Sequence, residues 1–176
     1  MSLTWHLDDA STPRGPIFTA VGTSVALTGG LGLGQSAALI ISNPSTSTKT
    51  LIPLTVCLGG TGVTGIAWGF AKALLGTASL APAGAGAGGV TIQAAGAGTA
   101  APVAQVWGTA TLINGTAGPA AINAWVVAYQ VGALATNAPI TAADLNGYVR
   151  LLPGESGMVY MAAAITGAPS ISWTEV

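Results

Sequence analysis

Apolar and polar positions alternate with a period of two over much of this chain, which is the pattern of half-buried strands. Ile66, Trp68 and Phe70 share one face of the run Gly60–Phe70. Val103, Gln105, Trp107, Thr109, Thr111 and Ile113 do the same in Val103–Ile113. In Ala121–Val131, Asn123, Trp125, Val127 and Tyr129 alternate with Ile122, Ala124, Val126 and Ala128. Both faces of that last run are largely apolar, so it is expected to be buried on both sides or to lay one face on a neighbouring subunit. Ile17–Thr28 is rich in Val, Ile, Phe and Thr and reads as a further strand, and Val90–Ala94 as a short one. Leu3–Leu7 predicts a short edge strand anchored by Trp5.

Turn chemistry divides these runs. Ala37–Ser42 and Thr50–Leu58 flank Asn43-Pro44-Ser45-Thr46-Ser47-Thr48-Lys49, which predicts a β-hairpin with a long loop. Pro53 has no N–H for a ladder, so its strand is expected to bulge or to lie at an edge there. Asn114-Gly115 predicts a reversal joining Val103–Ile113 to Ala121–Val131. Thr141–Leu145 is expected to form a single helical turn. At the end of the chain, Tyr148–Leu152, Met158–Ile165 and Ser170–Glu175 read as strands divided by turns at Pro153-Gly154 and Gly167-Ala168-Pro169.

About eight to ten short strands without a long amphipathic helix predict an all-β, antiparallel β-sandwich of jelly-roll or immunoglobulin-like type. All 176 residues read as one domain, with an arm or edge strand over residues 1–16 and an Ala/Gly-rich internal loop region over 81–101.

Composition changes this picture in one respect. Only 5% of residues are charged and the formal net charge is −1, where soluble domains carry roughly 25% charged residues. A chain so poor in charge has no electrostatic footprint for nucleic acid or an anionic membrane surface. It is expected to cover much of its surface with partners, as a homo-oligomer or assembly subunit. A membrane span is not expected, because prolines and glycines break the long charge-free run Ala73–Ala143. Met1–Ala10 lacks a basic-then-apolar leader pattern, so Sec-type export is not expected.

Candidate chemistry is sparse. His6, Asp8 and Asp9 would be the start of a metal site or of a small hydrolase, but no matching cluster completes either. Gly32-Leu33-Gly34 and Gly84-Ala85-Gly86 lack the rest of a phosphate-cradling motif. Cys57 is the single cysteine, in an apolar strand context that suits a buried small side chain. No catalytic, cofactor or metal residue is therefore expected. Five tryptophans remain, each in a strand-like run: buried, they fill the core of the sandwich, which is the favoured reading, and otherwise Trp5, Trp125, Tyr129 and Trp173 are the interface candidates. Exposed tryptophans would also suit a carbohydrate-binding or adhesin-like module.

Three segments carry a resemblance. Ala38-Leu39-Ile40-Ile41-Ser42-Asn43-Pro44-Ser45, continuing to Lys49-Thr50-Leu51-Ile52-Pro53-Leu54, resembles a segment of the small β-sandwich virion proteins of tailed bacteriophages: apolar strand, Asn-Pro, small polar loop, apolar strand. Leu151-Leu152-Pro153-Gly154-Glu155 resembles their strand running into a Pro-Gly turn, and Ser170–Val176 their closing strand ending in Trp-x-Glu. The resemblance implies a jelly-roll-like, non-enzymatic structural subunit located in the virion. It would be a capsid decoration or cementing protein, or a head- or tail-associated one, with other virion proteins as partners. It implies no catalytic residues, and it leaves the run Ala81–Ala101 uncovered.

Overall fold

The computed structural model describes residues 16–22, 25–27, 39–61, 68–73, 90–95, 101–108, 125–131, 140–145, 147–161 and 165–176. Among them are eleven strands and no helix: β1 (Ile17–Gly22), β2 (Val25–Leu27), β3 (Leu39–Ser42), β4 (Leu51–Thr61), β5 (Trp68–Ala73), β6 (Val90–Ala95), β7 (Gln105–Gly108), β8 (Trp125–Val131), β9 (Ile140–Asp144), β10 (Ser156–Met161) and β11 (Ile165–Glu175). All pairings are antiparallel. The first sheet runs β6-β1-β11-β4-β9, with β2 also on β11, and the second runs β7-β3-β10-β5-β8.

The inward faces of the two sheets share one hydrophobic core. Phe18, Val56, Leu58, Ile171 and Trp173 come to it from the first sheet, and Leu39, Ile41, Phe70, Val106 and Val159 from the second. In β1 the burial alternates residue by residue, as expected of a strand with one wet face. β3 differs: all four residues of Leu39–Ser42 are buried. Ile40, Met158 and Ala71 are cross-strand partners on the side facing away from the shared core, and they too are almost fully buried. The centre of the second sheet is thus closed on both faces, which is why β3 reads as a continuous apolar run.

Glycine is required at the centre of that sheet. Gly157 on β10 lies under the Phe70 ring, and a Cβ built there would overlap the ring at Cζ. Gly157→Ala is expected to destabilise the fold by about 1–3 kcal/mol through overpacking, read from the midpoint of urea unfolding. An unchanged midpoint would show that the ring can move aside.

Local turn chemistry holds where it was specific. Pro153 and Gly154 occupy the two central positions of a turn in which Glu155 N donates to Leu152 O at 2.9 Å, with Gly154 at φ 86°. That is the backbone a type II turn demands of Pro-Gly. Pro53 stands beside a register shift between β4 and β11, so the predicted bulge is present. Val90–Ala95 forms a strand, as the pattern over Val90–Ala94 suggests.

Several expected pairings do not form. The runs around Asn43–Lys49 are not a hairpin: β3 pairs with β7 and β10, whereas β4 pairs with β9 and β11 in the other sheet. The Asn43–Lys49 loop is an arch between sheets. Nor do the described parts of Val103–Ile113 and Ala121–Val131 pair: β7 and β8 lie at opposite edges of the second sheet. Thr141–Leu145 does not form a helical turn; Ile140–Asp144 is drawn into a strand along β4 from Thr55 to Gly59. Tyr148–Leu152 contributes only an isolated bridge, Leu51 to Leu151.

Gly167-Ala168-Pro169 is not a turn either. It lies inside the eleven-residue β11. Pro169 falls where β11's neighbour is interrupted, between the β1 contact at Ser170 and the β2 contact at Gly167. Its ring packs on Gly22, where a Cβ would come within 3.0 Å of Pro169 Cγ. A residue without an N–H is tolerated at such a break in the ladder.

Candidate functional site

The polar side chains that the fold draws together lie at one end of the two sheets, where the arch 43–50, the turn 152–155 and the last strand meet. Glu175 is the last residue of β11, and its side chain has no exposed surface. Its Oε1 accepts hydrogen bonds from Val103 N at 2.9 Å, Ala104 N at 3.1 Å and Trp173 Nε1 at 3.3 Å. Its Oε2 lies 3.4 Å from Lys49 Nζ, on a side chain 41% exposed. One carboxylate thereby fixes the lead-in to β7, in the second sheet, to β11 in the first.

Asn43 links this cluster to the next. Its Nδ2 donates to Lys49 O at 2.7 Å and to Leu151 O at 2.9 Å. Its backbone N donates to Glu155 O, and its O accepts from Gly154 N, both at 2.9 Å. Glu155 is buried; its Oε2 sits 2.6 Å from Lys72 Nζ on β5 and accepts from Leu152 N at 2.7 Å. Lys72 Nζ also donates to Arg150 O at 2.7 Å. Ser42 and Ser156 hydroxyls bond each other at 2.6 Å nearby. Two buried carboxylates are each held by a lysine and by N–H donors, three for Glu175 and one for Glu155, as buried charge requires. The arrangement locks two loops and both sheets together.

The outer face of the first sheet carries a row of small polar side chains. Thr19 Oγ1 and Ser172 Oγ are 3.0 Å apart, and Thr55 Oγ1 donates to Asp144 Oδ1 at 2.7 Å. Ser172 and Thr55 are cross-strand partners, so the row crosses β1, β11, β4 and β9. Further along, Thr174 Oγ1 is buried without a hydrogen-bond partner. Thr174→Val keeps the β-branched shape and removes that hydroxyl. It is expected to stabilise the protein by up to about 1 kcal/mol, measured by thermal or urea unfolding. A clear loss of stability would mean that the hydroxyl has a partner.

Of the four interface candidates, Trp173 takes the other place expected of these tryptophans, the core. Its indole has no exposed surface and stacks on Phe18, with ring centroids 5.6 Å apart and planes at 28°. A side chain closed inside the isolated chain has no surface to lend a partner. Trp125 and Tyr129 lie on β8, an edge of the second sheet; their side chains lie outside what the structure describes, as does all of Trp5. His6, Asp8 and Asp9, both Gly-x-Gly stretches and Asn114-Gly115 lie outside the described residues as well. Among the described residues no three His, Cys, Asp or Glu side chains group as a metal site, and no helix is long and apolar enough to cross a membrane. Cys57 is a free thiol on β4, partly exposed rather than buried, because its neighbours Val56 and Leu58 take the core side. Burial pushes the Tyr160 phenol above its ordinary value of 10.0.

Asn43, Lys49, Lys72, Glu155 and Glu175 were not singled out from the sequence as a group. A signal was present: in a chain with four basic and five acidic residues, a Glu two places after a core Trp needs partners wherever it is buried. Which partners depends on strands far apart in sequence. No protein-family model, no curated protein and no solved structure matches this chain.

Proposed function

We propose that this protein is a non-enzymatic structural subunit of a tailed-phage virion, a jelly-roll β-sandwich that works as a capsid decoration or head-associated protein through protein–protein interfaces. The observation that carries this reading is the order of strand pairing. β1 pairs with β11, β3 with β10, β4 with β9 and β5 with β8. Among these described strands outermost pair with outermost and innermost with innermost, which is the nesting expected of a long antiparallel ribbon folded over on itself. β6 and β7 lie in the excursion between β5 and β8 and extend the two sheets beside β1 and β3. With them set aside, four strands remain along each sheet's path, the eight-strand pattern of jelly rolls found in viral capsid domains.

The residues of the resemblance support the same reading through their duties. Asn43 of the Asn-Pro arch, the Pro153-Gly154 turn and Glu175 of Trp-x-Glu all belong to the network that ties one end of the sandwich. Carboxylates already engaged with lysines and backbone N–H groups act as fasteners. A surface this poor in charge can bury the ~1,200–2,000 Å² of a stable interface with few ions to desolvate.

The test is mass spectrometry and immunogold labelling of gradient-purified virions made from the genome that encodes the chain. The protein is expected on the particle at a fixed ratio to the major capsid or tail subunit. Its absence from purified particles would overturn the proposal. A second reading, a glycan-binding module, has one observation in its favour: jelly rolls also serve as lectin domains, and Tyr148 stands fully outward. Binding on a glycan array that Tyr148→Ala abolishes would favour it over the first.

A further inference from the structure

One border of the first sheet is formed by β9 and by residues 147–152, both laid along β4. β9 pairs with β4 from Thr55 to Gly59, Leu145 N donates to Leu54 O at 2.7 Å, and Leu151 bridges Leu51. Between these contacts the chain turns at Gly147, φ 71°, where Tyr148 N donates to Leu145 O at 2.9 Å. Ala143, Leu145, Val149 and Leu151 belong to the core. Ala142, Asp144, Tyr148, Arg150 and Leu152 alternate with them, and all five are exposed. Tyr148 is 86% exposed and Leu152 47%. β9 ends the path of its sheet, so no described strand lies beyond it. An exposed Tyr and Arg on one short stretch are the residue types enriched where proteins touch.

The charges on this border are those the described fold leaves open. Lys49 pairs with Glu175 and Lys72 with Glu155. Among the described residues the Arg150 guanidinium has no hydrogen bond or ion pair, and Asp144 accepts one bond, from Thr55 Oγ1 to Oδ1 at 2.7 Å. Asp144 lies opposite Thr55, and the register of the Leu51–Leu151 bridge sets Arg150 opposite Ile52. Three residues of β4 separate the two positions, about 10 Å, and the two charges form no ion pair with each other. We propose that this border is a self-association surface, on which a second copy of the chain docks about a two-fold axis passing beside Tyr148. A two-fold contact lays the border against itself in reverse. It sets Arg150 on the partner's Asp144 and Asp144 on the partner's Arg150. The two Tyr148 rings meet at the axis, and the large Leu152 faces the small Ala142 of the partner subunit. Guanidinium and carboxylate then pair as a fork. Any other partner must carry the opposite charges at this spacing in inverted order, whereas a second copy does so by symmetry. A contact confined to one border is small, so a reversible dimer of micromolar strength is expected rather than an obligate one.

Sedimentation velocity of the purified full-length chain over a range of concentrations tests the proposal. The wild type is expected to show a monomer–dimer equilibrium that weakens as salt is raised. Arg150→Asp and Asp144→Arg each place like charges together twice per dimer and should weaken it by roughly tenfold or more. The double variant Asp144→Arg/Arg150→Asp restores opposite charges and should recover most of the lost affinity. Should Asp144→Arg fail to fold, Arg150→Asp and Tyr148→Ser carry the test, since both are expected to shift the equilibrium toward monomer. A wild-type chain that stays monomeric at every concentration would overturn the proposal. So would an association that neither charge reversal weakens, or a double variant that binds no better than the single ones. The assay contains no particle, so its failure is distinct from a failure of the virion reading.

Discussion

Replacing Trp173 with alanine is expected to cost about 3–5 kcal/mol of folding stability, the range for truncating a fully buried large aromatic side chain. Trp173 ends the core at the point where the last strand meets the polar network. It has no exposed surface, its ring stacks on Phe18, and its Nε1 donates to Glu175 at 3.3 Å. Alanine would leave a cavity between the sheets, remove an aromatic pair worth about 0.5–1.5 kcal/mol beyond its buried area, and leave Glu175 one donor short. Trp173→Phe keeps the ring contact and loses only volume and the hydrogen bond, so it is expected to cost clearly less. Urea unfolding of the three proteins gives the order directly. A native-like midpoint for Trp173→Ala would place the indole outside the core and restore it as an interface candidate.

The second large effect is expected at Glu175. Glu175→Ala leaves Val103 N, Ala104 N and Trp173 Nε1 without their acceptor. A buried donor left unpaired costs about 1–3 kcal/mol. Some of these groups will find water once the side chain is gone, so a total of about 3–4 kcal/mol is expected rather than the full sum. Glu175→Gln keeps an oxygen acceptor in the same place and should retain more than half of the stability that alanine loses. Lys49→Met is expected to cost under about 1 kcal/mol, because the lysine side chain is 41% exposed and its charge is screened by solvent. Backbone exchange at Val103 and Ala104, followed by hydrogen–deuterium exchange, should accelerate in Glu175→Ala and hardly change in Lys49→Met. If Lys49→Met proves as damaging as Glu175→Ala, the ion pair and not the N–H cradle holds this end. Because Trp173 and Glu175 share a hydrogen bond, the double alanine variant should cost less than the sum of the two.

How much of this was legible beforehand depends on the range of the interaction. Pro153-Gly154 was readable as a turn because its demand, φ > 0 after a proline, is met within two residues. Pro53 was readable at a bulge for a similar local reason, the missing N–H. Gly167-Ala168-Pro169 carries turn chemistry just as plainly, yet it runs straight through β11. Only the break between β1 and β2 makes room for its proline, and that break is more than a hundred residues away in sequence. Thr141–Leu145 has weak strand propensity, and pairing with β4 outweighed it. The arch at Asn43 looked like a hairpin because two apolar runs flank a polar loop. Its real partners, Glu155 O and Gly154 N, come from the far end of the chain.

The amino-acid order by itself determined that this protein is built of short antiparallel strands, where several of them lie, and that almost no charge is available at its surface. A period of two dictates which residues share a face, and turn residues dictate local reversals; both are properties of a few neighbouring positions. Only the tertiary structure decided which strand lies beside which. β1 against β11 and β3 against β10 join segments more than a hundred residues apart, and a strand's alternation does not specify its partner. The same long-range pairing placed Trp173 in the core and not at a contact surface, and it assembled Asn43, Lys49, Lys72, Glu155 and Glu175 at one end. Their partners exist only once β11 lies between β1 and β4.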